Sequence, residues 1–398
     1  VYPKIFKKDL FTSSNVPSVG VLYLKNLGNE EDEYFSYGIT EDIIIDLSKA
    51  GLIRVPAMND ILIFKDSDKT LAEIAQNLDV RYVLTGSLKN ETGFLRLALQ
   101  LVEPQKGVNI WSERWKEPFG YVSTVKAKVI DAIIQSLGLD PKCSTLSQIK
   151  RNPTTNPDAY ELYLKAKYRS PRMQSAEDLE IVRGLYLKAI ELDSLFIGAY
   201  IGLGSTYRVS GETNVAISHF KNALNLASSM DLPLEKANAL ISIGNVYRTL
   251  GQYDEASQSF KEALEIAQEM ELKSIECSCL HGLGIISDDH GLWDEAMNFF
   301  QKALPIAREL MDENLEYSLL NSIGIIYYNK KDIEKALEYF EKSLEIRLEL
   351  GHHRSAATVI INMAVLEYEK GNNYKVIELN KQALELYEKV GDAEGMSY

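Results

Sequence analysis

Two short segments of the chain carry residue types that can do acid–base or nucleophilic chemistry. Glu41 and Asp42 are adjacent carboxylates, and two carboxyl groups with different pKa values can act as general acid and general base. Acidic residues are also favoured in the first turn of a helix, where the helix dipole stabilises them. Ser87 follows Gly86 in an alternating strand pattern, where glycine more often marks a close backbone approach than a nucleophile. Both segments are therefore interpreted as structural.

Histidine and cysteine residues offer metal or redox chemistry at two other places. His352 and His353 lie at a predicted helix junction, where capping or solvation is the simpler role. Cys277 and Cys279 are two residues apart on a predicted helix and point in different directions, and three cysteines cannot all pair. Sequence motifs for phosphate loops, dinucleotide turns, hydrolase elbows and zinc helices are absent. We therefore predict buried free thiols and a non-enzymatic chain with no metal and no cofactor.

A forty-residue period organises the carboxyl-terminal half of the chain. Four columns of small or aromatic residues recur in register over five units. They are Gly204, Gly244, Gly284, Gly324 and Ala364; Ala216, Ala256, Ala296, Ala336 and Val376; Phe220, Phe260, Phe300, Phe340 and Asn380; and Ala223, Ala263, Ala303, Ser343 and Ala383. Small residues fit where two helices pack closely, and aromatic rings fill the space beside them. The pattern predicts an all-α solenoid of helical hairpins.

These columns resemble the tetratricopeptide repeat, in a forty-residue form. In that family helix A carries Leu-Gly and then Tyr, and helix B carries Ala, Phe and Ala. The tyrosine is present in three repeats, at Tyr207, Tyr247 and Tyr327, and is replaced at Ser287 and Glu367. A less regular hairpin between Tyr160 and Asp193 is interpreted as an additional first repeat. The resemblance implies six hairpins over residues 158–390, forming a superhelix whose A helices line a concave groove.

Residues that follow the small column on each A helix are predicted to line this groove and bind a protein or peptide. Arg208 and Arg248 occupy one column in neighbouring repeats and predict a patch for an acidic part of the ligand. Asparagine amides can donate to and accept from one peptide unit of an extended ligand. The candidate set is Arg208, Asn238, Asn245, Arg248, His281, Asp288, Asp289, Asn321, Tyr328, Asn362 and Tyr368. The alternative for each residue is a solvated helix face.

Two repeats depart from the pattern. Pro305 falls in the middle of helix B in repeat four, where proline removes one backbone hydrogen bond, so we expect a continuous but kinked helix. Repeat six replaces the alanine, phenylalanine and tyrosine columns yet keeps apolar residues on its last helix, at Ile377, Leu384, Leu386 and Tyr387. Such a surface needs a cover, and either end-capping or a homodimer is predicted.

The amino-terminal part follows other periods. We expect strands at 19–24, 52–56, 82–88, 95–101 and 108–115, because these segments are apolar or alternate with period two. Helices are expected from about residue 39 with Thr40 as cap, from Thr70 with a Glu73 capping box, and at 125–137. The resulting order βαβαβββα predicts an α+β domain with a mixed sheet over residues 17–139. A tail at 1–16, a linker at 140–157 and a tail at 391–398 complete the predicted organisation.

Residues 19–55, 71–90 and 97–115 resemble the TolB amino-terminal-like domain, which is often found in bacteria between a signalling enzyme and tetratricopeptide repeats. This chain departs from typical members at Tyr23-Leu24 and at 57–59. The resemblance implies a regulatory role beside a class III adenylate or guanylate cyclase or a protein kinase. It assigns no chemistry to the domain itself.

Composition limits the partners and the compartment. The formal charge of −14 over 398 residues argues against nucleic acid binding, which needs a basic surface. No apolar run reaches the roughly 18 residues that span a bilayer. The chain begins at Val1 rather than methionine and is interpreted as a piece of a longer protein. A cytoplasmic location is predicted, with the periplasm as the less favoured alternative.

Three functions remain open from the sequence. The favoured hypothesis is a non-enzymatic signalling scaffold that binds protein or peptide partners through the repeat groove. The second is a regulatory or dimerising part of a larger cyclase or kinase, and the third is an envelope-associated assembly factor. The residues upstream of Val1 would separate these three hypotheses.

Overall fold

The computed structural model describes residues 17–49, 53–91, 94–118, 122–139, 153–310, 312–349 and 352–390. Its contacts define two compact units. Unit 1 comprises Val1–Val246 together with Ile266–Leu272, and unit 2 comprises Tyr247–Glu265 together with Lys273–Tyr398. The predicted terminal tails, most of the predicted linker and the tip of the β-hairpin lie outside the described residues.

The amino-terminal part of unit 1 is a mixed sheet with helices, which confirms the α+β prediction. Its strands are β1 (Val19–Val21), β2 (Lys25–Asn26), β3 (Tyr82–Glu91), β4 (Phe94–Glu103) and β5 (Val108–Pro118). Strands β1 and β2 both pair parallel to β3, whereas β3–β4 and β4–β5 pair antiparallel. The helices are α1 (Glu33–Lys49), α2 (Met58–Leu62), α3 (Leu71–Asn77) and α4 (Val122–Ser136).

Two predicted elements of this part were wrong. The strand expected at 52–56 is reduced to a single bridge between Ser18 and Arg54, and Pro56 has no N–H to extend it. Helix α1 begins at Glu33, so Thr40 is not its cap. The Thr40 hydroxyl donates to the Ser36 carbonyl at 2.6 Å and accepts from the Leu24 N–H at 3.1 Å. A mid-helix threonine bonded to its own preceding turn looks the same in sequence as a capping threonine.

Two local predictions are confirmed, at Thr70 and at Gly86, and two tryptophans lie together on β5. Thr70 and Glu73 form the capping box that begins α3. A Cβ added to Gly86 would lie 2.1 Å from the Ala98 carbonyl oxygen of the neighbouring strand, so this glycine permits a close backbone approach. The Trp111 and Trp115 rings lie on the same side of β5 with centroids 5.7 Å apart.

Twelve helices follow in the described part of the chain. They are α5 (Pro157–Arg169), α6 (Ala176–Leu192), α7 (Ile197–Val209), α8 (Thr213–Ser229), α9 (Pro233–Thr249), α10 (Tyr253–Glu269), α11 (Lys273–Asp289), α12 (Trp293–Leu310), α13 (Glu313–Asn329), α14 (Ile333–Glu349), α15 (His353–Glu369) and α16 (Asn373–Val390). The alternation of A and B helices predicted from the forty-residue period is confirmed. Helix α12 continues through Pro305, as expected, while the size of its bend stays a prediction.

In the hairpins α7–α8, α11–α12 and α13–α14, a phenylalanine of helix B packs on a glycine of helix A. A Cβ added to Gly204 would lie 2.6 Å from the Phe220 ring, and one added to Gly284 would lie 2.3 Å from Phe300. Both rings are 1% exposed. The glycine column is therefore explained by the aromatic ring that it admits within the same hairpin.

The first helical hairpin shares the core of the α+β part. One cluster of buried residues extends along the sequence from Val19 to Leu203. Helix α1 approaches α5 so closely that a Cβ on Gly38 would lie 2.6 Å from Leu164 Cδ2. Unit 1 is consequently built from both kinds of secondary structure.

Candidate functional site

The A helices α11, α13 and α15 of unit 2 lie side by side and present one face, which we call the A-face. Three side-chain hydrogen bonds cross between neighbouring A helices: His281 Nε2 to Ser322 Oγ at 3.1 Å, Asn329 Nδ2 to Asp288 Oδ1 at 3.1 Å, and Tyr328 OH to Glu369 Oε1 at 2.8 Å. Each joins residues 41 positions apart in sequence. Side-chain hydrogen bonds therefore link neighbouring A helices in this unit.

Burial shifts the pKa of two groups on the A-face. It lowers the pKa of His281 to about 4, with a further contribution from the positive charge of Arg248, so this imidazole is neutral at pH 7 and its hydrogen bond carries no charge. Burial also raises the pKa of Asp288, although the hydrogen bond from Asn329 acts in the opposite direction. The A-face is therefore uncharged at His281 at neutral pH.

Asn321 supplies an unused acceptor on the A-face. Its Oδ1 is buried and has no hydrogen-bond partner among the described residues. A buried acceptor without a partner costs about 1–3 kcal/mol of desolvation, which a donor from a ligand would recover. Asn321 follows His281 by forty residues, and Asn362 occupies the neighbouring column of the next A helix.

The structure divides the predicted groove residues between the two units. Arg248, His281, Asp288, Asp289, Asn321, Tyr328, Asn362 and Tyr368 belong to unit 2, and Arg208, Asn238 and Asn245 belong to unit 1. Tyr368 is 68% exposed, and Arg208 and Asp289 are also exposed. The joint patch of Arg208 and Arg248 stays a prediction, since these residues lie in different units.

A cavity of about 810 Å³ opens in unit 1, and sequence reasoning missed it. Helices α1, α4 and α5 contribute one wall, which includes Asp42, Lys126 and Lys167. Helices α7 and α9 contribute another, which includes Asn238. This asparagine, predicted for the repeat groove, lines the cavity.

A buried ion cluster forms the wall contributed by α1, α4 and α5, which we call the α1 wall. Lys167 Nζ lies 2.6 Å from Glu41 Oε2 and 2.9 Å from Asp42 Oδ1, and Lys126 Nζ lies 2.6 Å from Asp46 Oδ2. Glu41 and Asp42 are therefore not helix-start acids, which corrects the sequence interpretation, because α1 begins eight residues before Glu41. Their partners are on other helices, so no local signal could have identified them.

The charges of this cluster stabilise each other. Burial by itself would raise the pKa of Asp42, but Lys167, Lys126 and the hydroxyl of Tyr160 together lower it to about 2. Burial would likewise lower the pKa of Lys167, yet Asp42 and other neighbours raise it well above its ordinary value. The Tyr160 hydroxyl donates to Asp42 Oδ2 at 2.6 Å. Both partners are therefore charged at neutral pH.

The other residues that could do chemistry have structural surroundings. Cys277 and Cys279 are free and buried, as predicted, and burial raises the pKa of each thiol to about 12. The His352 ring packs edge-on against Tyr317, with centroids 5.8 Å apart. The described part of the chain holds no group of three His, Cys, Asp or Glu side chains placed to bind a metal ion.

The last helix exposes an apolar strip. On α16, Tyr374 is 82%, Ile377 is 57% and Leu384 is 41% exposed. Leu386 and Tyr387, which were expected on the same surface, are buried within the last hairpin. Their burial follows from their position opposite α15 rather than from their composition.

The helical hairpins from α7 onward have a recognised family. Residues 196–269, 235–309 and 315–389 match the family model described as tetratricopeptide repeat, so this part of the chain is a tetratricopeptide-repeat array. The match begins with α7 and includes all later helices.

Among curated proteins, the chain is similar to “Putative adenylate cyclase 3” of Rhizobium meliloti (strain 1021), with 27% identity over 217 residues. The aligned region is 54% of this chain and 35% of that protein, so this chain spans about a third of that relative's length. Of the helices in the described ranges, none is long and apolar enough to cross a membrane.

Solved structures with similar folds include aspartyl phosphate phosphatase F from Bacillus subtilis, which is 18% identical in sequence. The superposition covers 70% of this chain and 74% of that chain, with a TM-score of 0.48. Another is Pseudomonas aeruginosa pilF, with 17% identity, 60% of this chain and 95% of that chain covered, and a TM-score of 0.43.

Proposed function

We propose that this chain is a non-enzymatic signalling scaffold whose A-face binds an extended protein or peptide segment. The observation that carries this proposal is the continuous set of polar side chains across α11, α13 and α15, with the buried, unpartnered Oδ1 of Asn321 among them. An extended peptide offers N–H donors at regular intervals, and an asparagine amide can accept one and donate to the adjacent carbonyl.

Exposed aromatic surface at the end of the A-face supports the same role. Tyr368 is 68% exposed on α15, and Tyr328 lies one repeat earlier with its hydroxyl bonded to Glu369. Tyrosine provides large contact area at low entropic cost and is enriched at sites that dominate binding energy. The ligand would therefore place an apolar side chain against Tyr368 and its backbone along Asn321.

Selection from a random peptide library tests this function for a ligand of any sequence. Peptides enriched on the immobilised protein would be titrated calorimetrically against the wild type, Asn321→Ala and Tyr368→Ala. We expect each variant to lose about tenfold in affinity, which corresponds to about 1.4 kcal/mol. Asn298→Ala, on the exposed surface of B helix α12, is the matched control and should bind like the wild type. Selected peptides that bind all four proteins equally would rule out the A-face.

The ligand's charge is a finer part of the proposal. Arg208 is exposed near the end of α7, and Arg248 follows in the same repeat column. Guanidinium groups prefer carboxylate or phosphate partners. We therefore expect the part of the ligand near Arg248, the arginine that acts on His281, to be acidic, and charge reversal of Arg248 to weaken an acidic peptide more than a neutral one.

Regulation of a larger cyclase is the second candidate function. The similarity to the Rhizobium meliloti protein favours it, since 217 aligned residues make up only 35% of that protein and leave room for a catalytic part elsewhere. In this arrangement the A-face would receive the signal, and the TolB-like α+β part would transmit it in the cytoplasm. Fusing a class III cyclase catalytic domain to this chain and measuring cyclase activity with and without a selected peptide would test it.

A further inference from the structure

The α1 wall of the unit 1 cavity has more negative than positive charge. Three carboxylates, from Glu41, Asp42 and Asp46, face two ammonium groups, from Lys126 and Lys167. Each ammonium lies within 3 Å of a carboxylate oxygen, so neither offers an unshared positive charge to an anion. Buried charges are stable only when they are paired. The unmatched carboxylate charge therefore favours a cationic ligand.

The repeat-side wall presents hydrogen-bond acceptors. Ser205, Thr206 and Ser242 line the cavity. Each donates its hydrogen to a carbonyl of its own helix: Ser205 to Ile201 at 2.9 Å, Thr206 to Leu203 at 2.6 Å and Ser242 to Asn238 at 2.9 Å. A hydroxyl that has used its single hydrogen retains only lone pairs. This wall therefore suits a ligand that donates hydrogen bonds.

Apolar side chains complete the cavity. Phe196, Ile201 and Leu234 contribute from the first repeats, and Met173 contributes from the segment between α5 and α6. A ligand that only carried charge would leave these surfaces in contact with water. Each CH₂ group of a ligand that is buried against such surfaces tightens binding about fourfold. The lining thus favours a cation with an apolar body.

We propose that the unit 1 cavity binds an organic cation, an alkylammonium or alkylguanidinium group carried on an apolar body. The cationic head lies against Glu41 and Asp46, its N–H groups reach the hydroxyl oxygens of Ser205 and Ser242, and the alkyl body packs on Ile201. The cation belongs either to a free small molecule or to a basic side chain of a peptide. This site is separate from the A-face and does not depend on peptide binding there.

Calorimetric titration with hexylguanidine and hexylamine tests the proposal on the full chain. Hexanol and hexanoate are the uncharged and anionic probes of the same length. We expect both cations to bind at least tenfold more tightly than either of these probes. Ac-Leu-Arg-Leu-amide, compared with its citrulline analogue, reports whether a peptide side chain can replace the free cation.

Two substitutions locate the cation in the cavity. Glu41→Gln keeps the side-chain shape and removes one of the three carboxylate charges, so that two carboxylates face two ammonium groups. Ser242→Met fills the space beside Asn238. Each substitution should weaken the binding of hexylguanidine at least tenfold. Glu161→Gln is the charge control, because its partner Lys165 lies outside the cavity lining. Ser278→Met is the size control, because Ser278 makes the same bond to the preceding turn in unit 2.

The binding results either support or overturn the cation site. Binding that follows the cationic probes and is lost in Glu41→Gln and Ser242→Met supports the site. No binding of any cation up to about 10 mM, equal affinity for hexanol, or equal affinity in Ser242→Met overturns it. If Glu41→Gln does not fold, the comparison of probes and the Ser242→Met variant decide the question by themselves.

Discussion

At the scale of single residues, the glycines of the repeat columns differ in what surrounds them. Gly284 would place a Cβ 2.3 Å from the buried Phe300 ring, whereas Gly184 on α6 has nothing within 4 Å. We expect Gly284→Ala to destabilise unit 2 by about 1–3 kcal/mol, because overpacking outweighs the gain in helix propensity of about 1 kcal/mol. Gly184→Ala gains helix propensity without overpacking and should therefore stabilise unit 1. Chemical denaturation measures the change in the free energy of unfolding of both variants. Equal changes in the two variants would contradict the packing of Phe300 on Gly284.

The sequence predicted the residue types of the repeat columns but not the partner of each residue. Gly284 was expected at a helix crossing, and the structure identifies Phe300 of the same hairpin as the ring that it admits. Glu41 and Asp42 were assigned to a helix start, and they lie in a buried cluster with Lys167. The repeat period was sufficient to predict the role of Gly284. The role of Asp42 depends on a contact with Lys167, which lies more than 120 positions away in the sequence.

At the scale of elements, Pro305 shows how much stability a repeat helix loses to an internal proline. Helix α12 continues through this residue, which is exposed, and proline inside a helix costs about 3 kcal/mol. Pro305→Ala restores an N–H donor and should stabilise unit 2 by about 1–3 kcal/mol. Glu345→Ala, at the equivalent exposed position of α14, should change stability by less than about 0.5 kcal/mol. The comparison is made by thermal unfolding, and identical melting temperatures for wild type and Pro305→Ala would show that α12 bears no such cost.

At the scale of the molecule, the Asp42 cluster ties α1 to α4 and α5 and predicts how unit 1 responds to acid. The folded-state pKa of Asp42 is about 2, below its ordinary value of 3.8. A carboxyl group whose pKa is lowered by folding stabilises the folded state at pH values above its ordinary pKa. For Asp42 this stabilisation is about 2 kcal/mol, and it is lost as the pH falls from about 4 to about 2. Asp42→Asn should therefore be less stable than the wild type at pH 7, with the difference narrowing below pH 4.

Urea unfolding at pH 7, 4 and 3 measures this dependence. Tyr160→Phe removes only the 2.6 Å hydrogen bond to Asp42 and should produce a smaller loss with the same pH trend. A stability difference between wild type and Asp42→Asn that stays constant down to pH 3 would show that the cluster does not control the acid response.

The sequence by itself determined the elements that depend on local spacing. A forty-residue period of small and aromatic residues is sufficient to specify helical hairpins, and alternation with period two is sufficient to specify the hairpin β3–β4, because both patterns describe which face of an element is buried. The capping box at Thr70 is similarly local. The tertiary structure decided the rest. The unit 1 cavity, the pairing of Asp42 with Lys167 and the unpartnered Asn321 depend on side chains from separate helices, and sequence spacing carries no information on how such helices pack side by side.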